Sequence, residues 1–288
     1  MISVIIVNFN VSKHLFNCLD SLENSNKNKL LEVIVIDNNS SEDIDITSKL
    51  IAYSLSVKFY KLNYNRGFAS AVNYGIQKSS GNHILLLNPD TLIRDNTILN
   101  MSAHLNDYSD VGIVGCKVLH PNGDYQYSSR RHFPLMRFAF WRILMLDKIF
   151  YKSKIFGLYN YTFHSINQYL EVDAVSGACM MFRKELISDV GLFDERFFLY
   201  FEDTDFCYRV KRKWKIVYNP DCVVTHLKRE SFKNSHKSIN YEFFKSFYYF
   251  YMKYFDEYRI YYIFKLLIKN ILKIVVCVLS LLSNNTKK

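Results

Sequence analysis

An α/β fold, with a mostly parallel Rossmann-like sheet and helices on both faces, is what this sequence predicts. Three observations carry that expectation. The chain opens on a continuous apolar run, Ile2 to Asn8, and a second one, Leu31 to Asp37, follows within about 35 residues. Between them Leu15, Leu19 and Leu22 recur at helical spacing, with Ser12 as the expected N-cap. Strand, helix, strand over so short a span is a βαβ unit, which makes the two strands parallel. The third observation is the run Ile84 to Leu87, of strand length, halted by Asn88, Pro89 and Asp90. Proline has no N–H to give a ladder, so the strand ends there and leaves Asp90 at its carboxyl end.

The strand ends bring chemistry together. Parallel strands place Asn8 and Asp37 on one edge. Ser56 to Lys61 reads as a weaker strand, followed by Asn65-Arg66-Gly67-Phe68 and a helix over about 69–78. Gly67 supplies a turn or a close backbone approach. In open α/β sheets ligands bind beyond the carboxyl ends of the strands, so Asn8, Asp37, Arg66 and Asp90 are expected to share one crevice. An Asp with an orphan carboxylate can accept the ring N–H of a pyrimidine, Arg can neutralise phosphate, and an Asp-bound divalent cation can clamp a diphosphate. Asp90 alone reads equally as a cap for a helix starting near Asn96. No G-x-x-x-x-G-K-[ST] occurs and no G-x-G-x-x-G follows the first strand, which argues against an ATPase or a dinucleotide enzyme.

A second acidic centre is Glu202-Asp203-Thr204-Asp205, reached through Phe197, Phe198, Tyr200 and Phe201 and placed before a helix over about 204–213. Acidic residues favour helix N-termini in any case. In an apolar cleft, however, burial raises a carboxyl toward what a general base needs. Beyond a strand at 215–218, Val223-Val224-Thr225-His226 ends in a histidine that is either structural or a ligand, and Lys228 and Arg229 follow as phosphate contacts.

Composition bounds the rest. The 288 residues carry a formal charge of +10, but twelve Lys/Arg against four Asp/Glu fall between Lys228 and Lys288, so the balance of +8 there leaves the remainder near neutral. A basic excess confined to an aromatic tail points to an anionic membrane surface and away from nucleic acid. Tyr241 to Phe264 holds fourteen aromatic residues, and Lys265, Lys269 and Lys273 then share one side of a helix, opposite Leu, Ile and Val. The apolar run Ile274 to Leu282 is too short to span a bilayer. The tail therefore reads as an in-plane helix, with packing on the catalytic domain or a partner chain, and a true span, as alternatives. The segment 135–170, with Phe138, Trp141, Leu144, Ile149 and Phe150 among basic residues, reads as a lid or lipid-acceptor surface, or as a packed insertion. Six scattered cysteines, with no C-x-x-C and no secretory signal, point to reduced thiols in the cytoplasm.

Taken together, Val4 to Asn10, Val35 to Ser40, Asn65 to Ala69 and Leu86 to Thr91 resemble family 2 glycosyltransferases, in particular the rhamnosyltransferase-like enzymes of bacterial surface polysaccharide synthesis. Ser129 to Pro134, Val172 to Met180 and Phe193 to Asp205 extend the resemblance, which covers about residues 2–232. It implies a GT-A fold, with a nucleotide-sugar-binding half over 1–125, an acceptor-binding and catalytic half over 126–232, and a helical tail over 233–288. It further implies donor contacts from Asn8, Asn10, Asp37, Asn39, Arg66, Gly67, Asn88 and Asp90. A divalent metal (Mg or Mn) would lie on Asp90 and His226, and Asp203 would be the base. Glu202 would orient it, and Arg130, Arg131, Gly177 and Asp205 would hold the acceptor. The first acidic position of the family's D-x-D motif is Asn88 here, a weaker metal donor. The implied reaction is inverting transfer of a sugar, rhamnose from dTDP-rhamnose favoured and UDP-hexoses open, to a polysaccharide or lipid-linked hydroxyl. A cytoplasmic enzyme peripheral to the inner membrane face is implied, and the tail could carry an oligomer contact. A sugar-nucleotide pyrophosphorylase would need a Gly-rich loop, absent from Val11-Ser12-Lys13-His14. A non-catalytic sugar-binding module would leave the acidic residues without a purpose.

Overall fold

The computed structural model describes residues 1–25, 31–42, 46–94, 96–135, 137–138, 141, 144–227 and 236–254, with side chains from 241 onward in the last segment. Among these, one nine-stranded sheet organises the chain. Strands β1 (Ile2–Asn8), β2 (Leu31–Asp37), β3 (Ser56–Lys61) and β4 (His83–Leu87) run parallel, in the order β3-β2-β1-β4. Beyond β4 come β10 (Cys179–Arg183), β6 (Val111–Leu119), β11 (Lys215–His226) and β5 (Thr91–Ile93), and β8 (Leu170–Glu171) pairs with β11. Only β10, β5 and β8 run antiparallel to their neighbours. A two-stranded ribbon of β7 (Arg130–Arg131) and β9 (Ala174–Val175) lies beside it.

The expected parallel pairing of the first two strands holds, in a register that sets Asn8 opposite Asp37. Strands covered on both faces should read as unbroken apolar runs, and β1, β2 and β4 are buried along their whole length. Alternate side chains feed two cores. Val4, Ile6, Val33 and Val35 meet Leu15, Leu19 and Leu22 of α1 (Ser12–Ser25) and Ile98, Met101 and Leu105 of α4 (Thr97–Asp107). Ile5, Ile34 and Ile36 meet Ala69, Val72 and Ile76 of α3 (Phe68–Lys78) and Phe206 and Val210 of a helix described below. The helix expected after Arg66 is therefore present. Ser12, expected as an N-cap, lies inside α1, and its N–H and hydroxyl both go to Glu42.

One polar knot lies within the sheet. Glu32 of β2 is buried and accepts from the Ser3 hydroxyl, from Lys58 Nζ at 2.9 Å and from Ser80 N and Oγ at 2.6 and 2.8 Å. Burial raises its carboxyl, but these donors outweigh burial and bring it down to about 2. A folded-state value below the unfolded one stabilises the protein above about pH 4.3, and that stability fades as pH falls toward 2. Glu32→Gln should therefore cost about 2–3 kcal/mol at pH 7 and almost nothing near pH 2, read as urea midpoints across pH.

The C-terminal part differs from expectation. The helix forecast over 204–213 is α7, Glu202–Val210, and the strand forecast at 215–218 continues, through an irregularity at 219–223, to His226. The aromatic tail, as far as Tyr254, forms α8 (His236–Tyr254), which packs on the chain itself. Phe243, Phe247 and Phe250 surround Phe201, Tyr254 lies 4.0 Å from the Tyr208 ring, and the Ser246 hydroxyl donates to Leu199 O at 2.8 Å. Up to Tyr254 the aromatic tail therefore follows the packing alternative, with these rings meeting the chain's own surface. Lys265, Lys269, Lys273 and the run 274–282 lie outside the described residues, as do Lys228 and Arg229. Among the described residues no helix is long and apolar enough to cross a membrane.

Candidate functional site

The carboxyl ends of β1 and β2 form the first wall. Asp37 is buried and its carboxylate is not orphaned. Asn8 Nδ2 donates to its Oδ1 at 2.8 Å, and Ser40 closes back on it through Oγ at 2.5 Å and N at 3.0 Å. This Asx-type turn is what serine three residues after aspartate does locally. Asn10 and Asn39 both adopt left-handed backbone, which asparagine tolerates. Asn38, not singled out in the sequence, ties the wall to the next loop. Its side chain donates to Asn65 Oδ1 at 2.8 Å and Gly67 O at 3.2 Å, and accepts from Arg66 N at 3.0 Å. Arg66 is exposed and lies 4.8 Å over the Tyr64 ring. Gly67 has φ 82°, and a Cβ there would meet Phe198 O at 2.7 Å, while Phe68 N donates to that same oxygen at 2.8 Å. The turn needs glycine for both reasons.

Asp90 sits at the turn between β4 and β5, where Thr91 N donates to Asn88 O at 3.1 Å. It caps no helix, since the N-cap of α4 is Asn96 and that end has no side-chain cap. Instead Asp90 Oδ1 lies 3.1 Å from His226 Nε2 at the end of β11. Gln126 gives its amide N–H groups to Leu119 O and His226 O, so its oxygen faces His226 Nδ1 at 3.2 Å. Nδ1 is then the donor to Gln126, and Nε2 faces the carboxylate oxygen. A proton on Nε2 or a cation between the two groups would each satisfy this facing pair. The pair fits a divalent metal. Among the described residues no group of three His, Cys, Asp or Glu gathers to hold one, so water and ligand oxygens would complete the shell. Gln126, missed in the sequence, orients the histidine as outer partners of metal ligands do.

The acidic pair forms the third wall. Tyr200 and Phe201 have φ 68° and 66°, an unusual conformation for aromatic residues, and start α7 abruptly. Glu202 is buried with Oε2 unpartnered; burial, then the charge of Asp203, pushes its carboxyl up to about 8. Asp203 Oδ2 accepts from Arg131 Nη2 at 2.7 Å and from Gly177 N at 3.0 Å. Both donors converge on Asp203, whereas Glu202, raised by burial, is the neutral member of the pair at pH 7.

The walls meet through two consecutive residues. Gly177 N holds Asp203, and the next carbonyl, Ala178 O, accepts from Asn88 N at 2.9 Å and Thr91 Oγ1 at 3.4 Å. The turns carrying positions 90 and 203 thus share one hydrogen-bonded hub at the start of β10, on the edge where β1, β2, β4 and β11 end.

Two of the expected acceptor residues are occupied elsewhere. Arg130 is buried, and its guanidinium donates to the carbonyls of Tyr161, His164 and Ser165. Asp205 is fully buried and accepts from Arg209 Nε at 2.9 Å, Lys253 Nζ at 2.5 Å and Tyr254 OH at 2.7 Å, which fastens α8 to α7. Both are buried against packing partners, away from where a sugar would lie. Arg131 and Gly177 contact the acidic pair itself.

The family model for glycosyl transferase family 2 matches residues 3–191. The chain belongs to glycosyl transferase family 2. Similar to this glycosyltransferase is the low-salt glycan biosynthesis hexosyltransferase Agl10 of Haloferax volcanii, 23% identical over 74% of this chain and 62% of that protein. An N-acetylglucosaminyl-diphospho-decaprenol L-rhamnosyltransferase of Mycobacterium tuberculosis is 24% identical over 80% of this chain and 77% of its own length. Among solved structures, GalNAc-T7 with UDP, GalNAc and Mn2+ has a TM-score of 0.67 at 18% identity, covering 91% of this chain and 49% of that one. The mannosyltransferase PcManGT of Pyrobaculum calidifontis, in complex with GDP-Man and Mn2+, has a TM-score of 0.60 at 17% identity, covering 88% and 63%. These likenesses establish the GT-A fold of the family 2 chain, which spans about two thirds or less of the length of several relatives.

Proposed function

We propose that this family 2 glycosyltransferase moves a sugar, rhamnose favoured, from a nucleotide diphosphate donor to a hydroxyl of a polysaccharide or lipid-linked acceptor, with inversion. The observation that carries this reading is the hub of Gly177 and Ala178, which gathers the base candidate and the cation candidate at one sheet edge. Residues 1–125 would bind the donor and 126–232 the acceptor. Asp203, positioned by Arg131 and the Gly177 N–H, takes the acceptor proton as the hydroxyl oxygen attacks the sugar. The C1–oxygen bond to the diphosphate breaks as the new one forms, a single displacement that inverts the centre. Glu202, neutral beside it, keeps a second negative charge out of the pocket. Asp90 and His226 would hold the divalent cation, which when bound neutralises charge on the departing diphosphate. Asn8, Ser40 and Asp37 fix the wall against which the nucleotide would lie.

The rhamnosyl transfer to a diphospho-decaprenol acceptor in the name of the mycobacterial relative supports the donor and acceptor classes. Nucleotide release from a panel of sugar nucleotides, with and without Mn2+, tests the reading. Release only with acceptor and metal is expected, and pyrophosphate-dependent turnover would indicate a pyrophosphorylase. His226→Ala should weaken metal-dependent nucleotide binding at least about tenfold, read as loss of thermal protection by UDP or dTDP with Mn2+. Protection unchanged in that variant would remove His226 from the cation site.

A further inference from the structure

We infer that residues 144–155 form a docking surface for an anionic lipid bilayer, separate from the aromatic tail. Most exposed large apolar side chains of the described residues are scattered singly, but six fall in this one stretch. Leu144, Met145, Ile149, Phe150, Tyr151 and Ile155 are 48, 51, 64, 51, 45 and 60% exposed. So many exposed large apolar side chains within twelve residues of sequence point to an interaction site. Lys148, Lys152 and Lys154 are interleaved with them and exposed, against a single acid, the partly buried Asp147. Apolar side chains that can enter the acyl boundary, beside lysines that can reach lipid phosphates, describe an interfacial membrane element. A second copy of the chain fits less well, because a two-fold contact would set three lysines against three lysines.

The surface is linked to the site by hydrogen bonds and ring contacts. Arg130 grips the carbonyls of Tyr161, His164 and Ser165, and His132 N donates to Tyr159 O at 2.7 Å. From His132 an aromatic chain runs outward through Phe138 (5.1 Å), Trp141 (5.3 Å) and Phe156 (5.3 Å) to Phe150 (5.6 Å). His132 follows Arg131, which holds Asp203. A bilayer seated on 144–155 therefore lies at the far end of a packed aromatic column that starts beside the acidic pair. The surface stands by itself; that it presents a membrane-borne acceptor to Asp203 rests on the function proposed above.

The full chain should be floated with vesicles of phosphatidylcholine alone or mixed with phosphatidylglycerol, with amide hydrogen exchange read along the sequence. Protection of 144–156 is expected with the mixed vesicles. Ile149→Glu/Phe150→Glu/Ile155→Glu should cut partitioning at least about tenfold, and each of Lys148→Gln, Lys152→Gln and Lys154→Gln about fivefold at the anionic surface. All these side chains are exposed, so unchanged circular dichroism is expected, and the lysine variants give a second reading if the glutamate variant is unfolded. The inference fails if protection appears only outside 144–156 while the variants partition like wild type. It also fails if sedimentation shows a dimer that the glutamate variant dissociates, which would make the surface a contact between copies. Neither failure touches nucleotide release, measured without vesicles.

Discussion

Asp203→Asn is expected to lower sugar transfer by about 10²–10⁴-fold while leaving nucleotide protection against thermal unfolding unchanged. The asparagine oxygen can still accept from Arg131 and Gly177, while the amide nitrogen loses the bonds that Thr204 N and Oγ1 give the other oxygen, and the side chain takes no proton. Glu202→Gln makes the sharper comparison. Glu202 is already neutral at pH 7, so its amide isostere should keep most of the rate. If Glu202→Gln silences the enzyme and Asp203→Asn does not, the two carboxyls have exchanged roles. Transfer can be followed by nucleotide release with acceptor present.

Asp205→Ala should lower the unfolding free energy by about 3–5 kcal/mol, the usual cost of breaking a buried ion pair by removing one partner. Asp205 is fully buried and holds Arg209 from its own helix and both Lys253 and Tyr254 from α8. Lys253 keeps a second partner, Asp194 at 2.7 Å, so the helix should loosen before it leaves. Urea unfolding by circular dichroism gives the loss, and limited proteolysis within 241–254 should accelerate. A loss below about 1 kcal/mol would mean that aromatic packing alone secures α8.

What could be read from the sequence was whatever is local and periodic. The apolar runs ending at Asn8, Asp37 and Leu87 identify buried parallel strands because strands covered on both faces have no polar side. Asp90, Asp203 and His226 stand out because their residue types and positions past strand ends carry chemistry. Gln126 and Asn38 did not stand out, because each acts through partners distant in sequence: Gln126 binds His226, and Asn38 binds the 65–67 turn. Arg130 and Arg131 show the same limit from the other side. Adjacent residues on a strand point to opposite faces, so one is locked into the 161–165 loop and the other reaches Asp203. Asp205 belongs to the same acidic cluster as Asp203, yet two positions along a helix turn it away, toward α8. The tail was ambiguous because clustered tyrosine and phenylalanine suit a lipid interface and a protein interface equally, and up to Tyr254 the surface around Phe201 is what these rings meet.

Shortening this protein to make it easier to handle carries a hidden hazard. A cut at Arg229 or Tyr241 would strip away the rings that steady Tyr200 and Phe201, two residues twisted into backbone that neither adopts readily. Such a fragment would lose turnover through slackening of the peptide that leads into Glu202, and its silence would be mistaken for evidence about membranes. Any useful truncation begins after Tyr254.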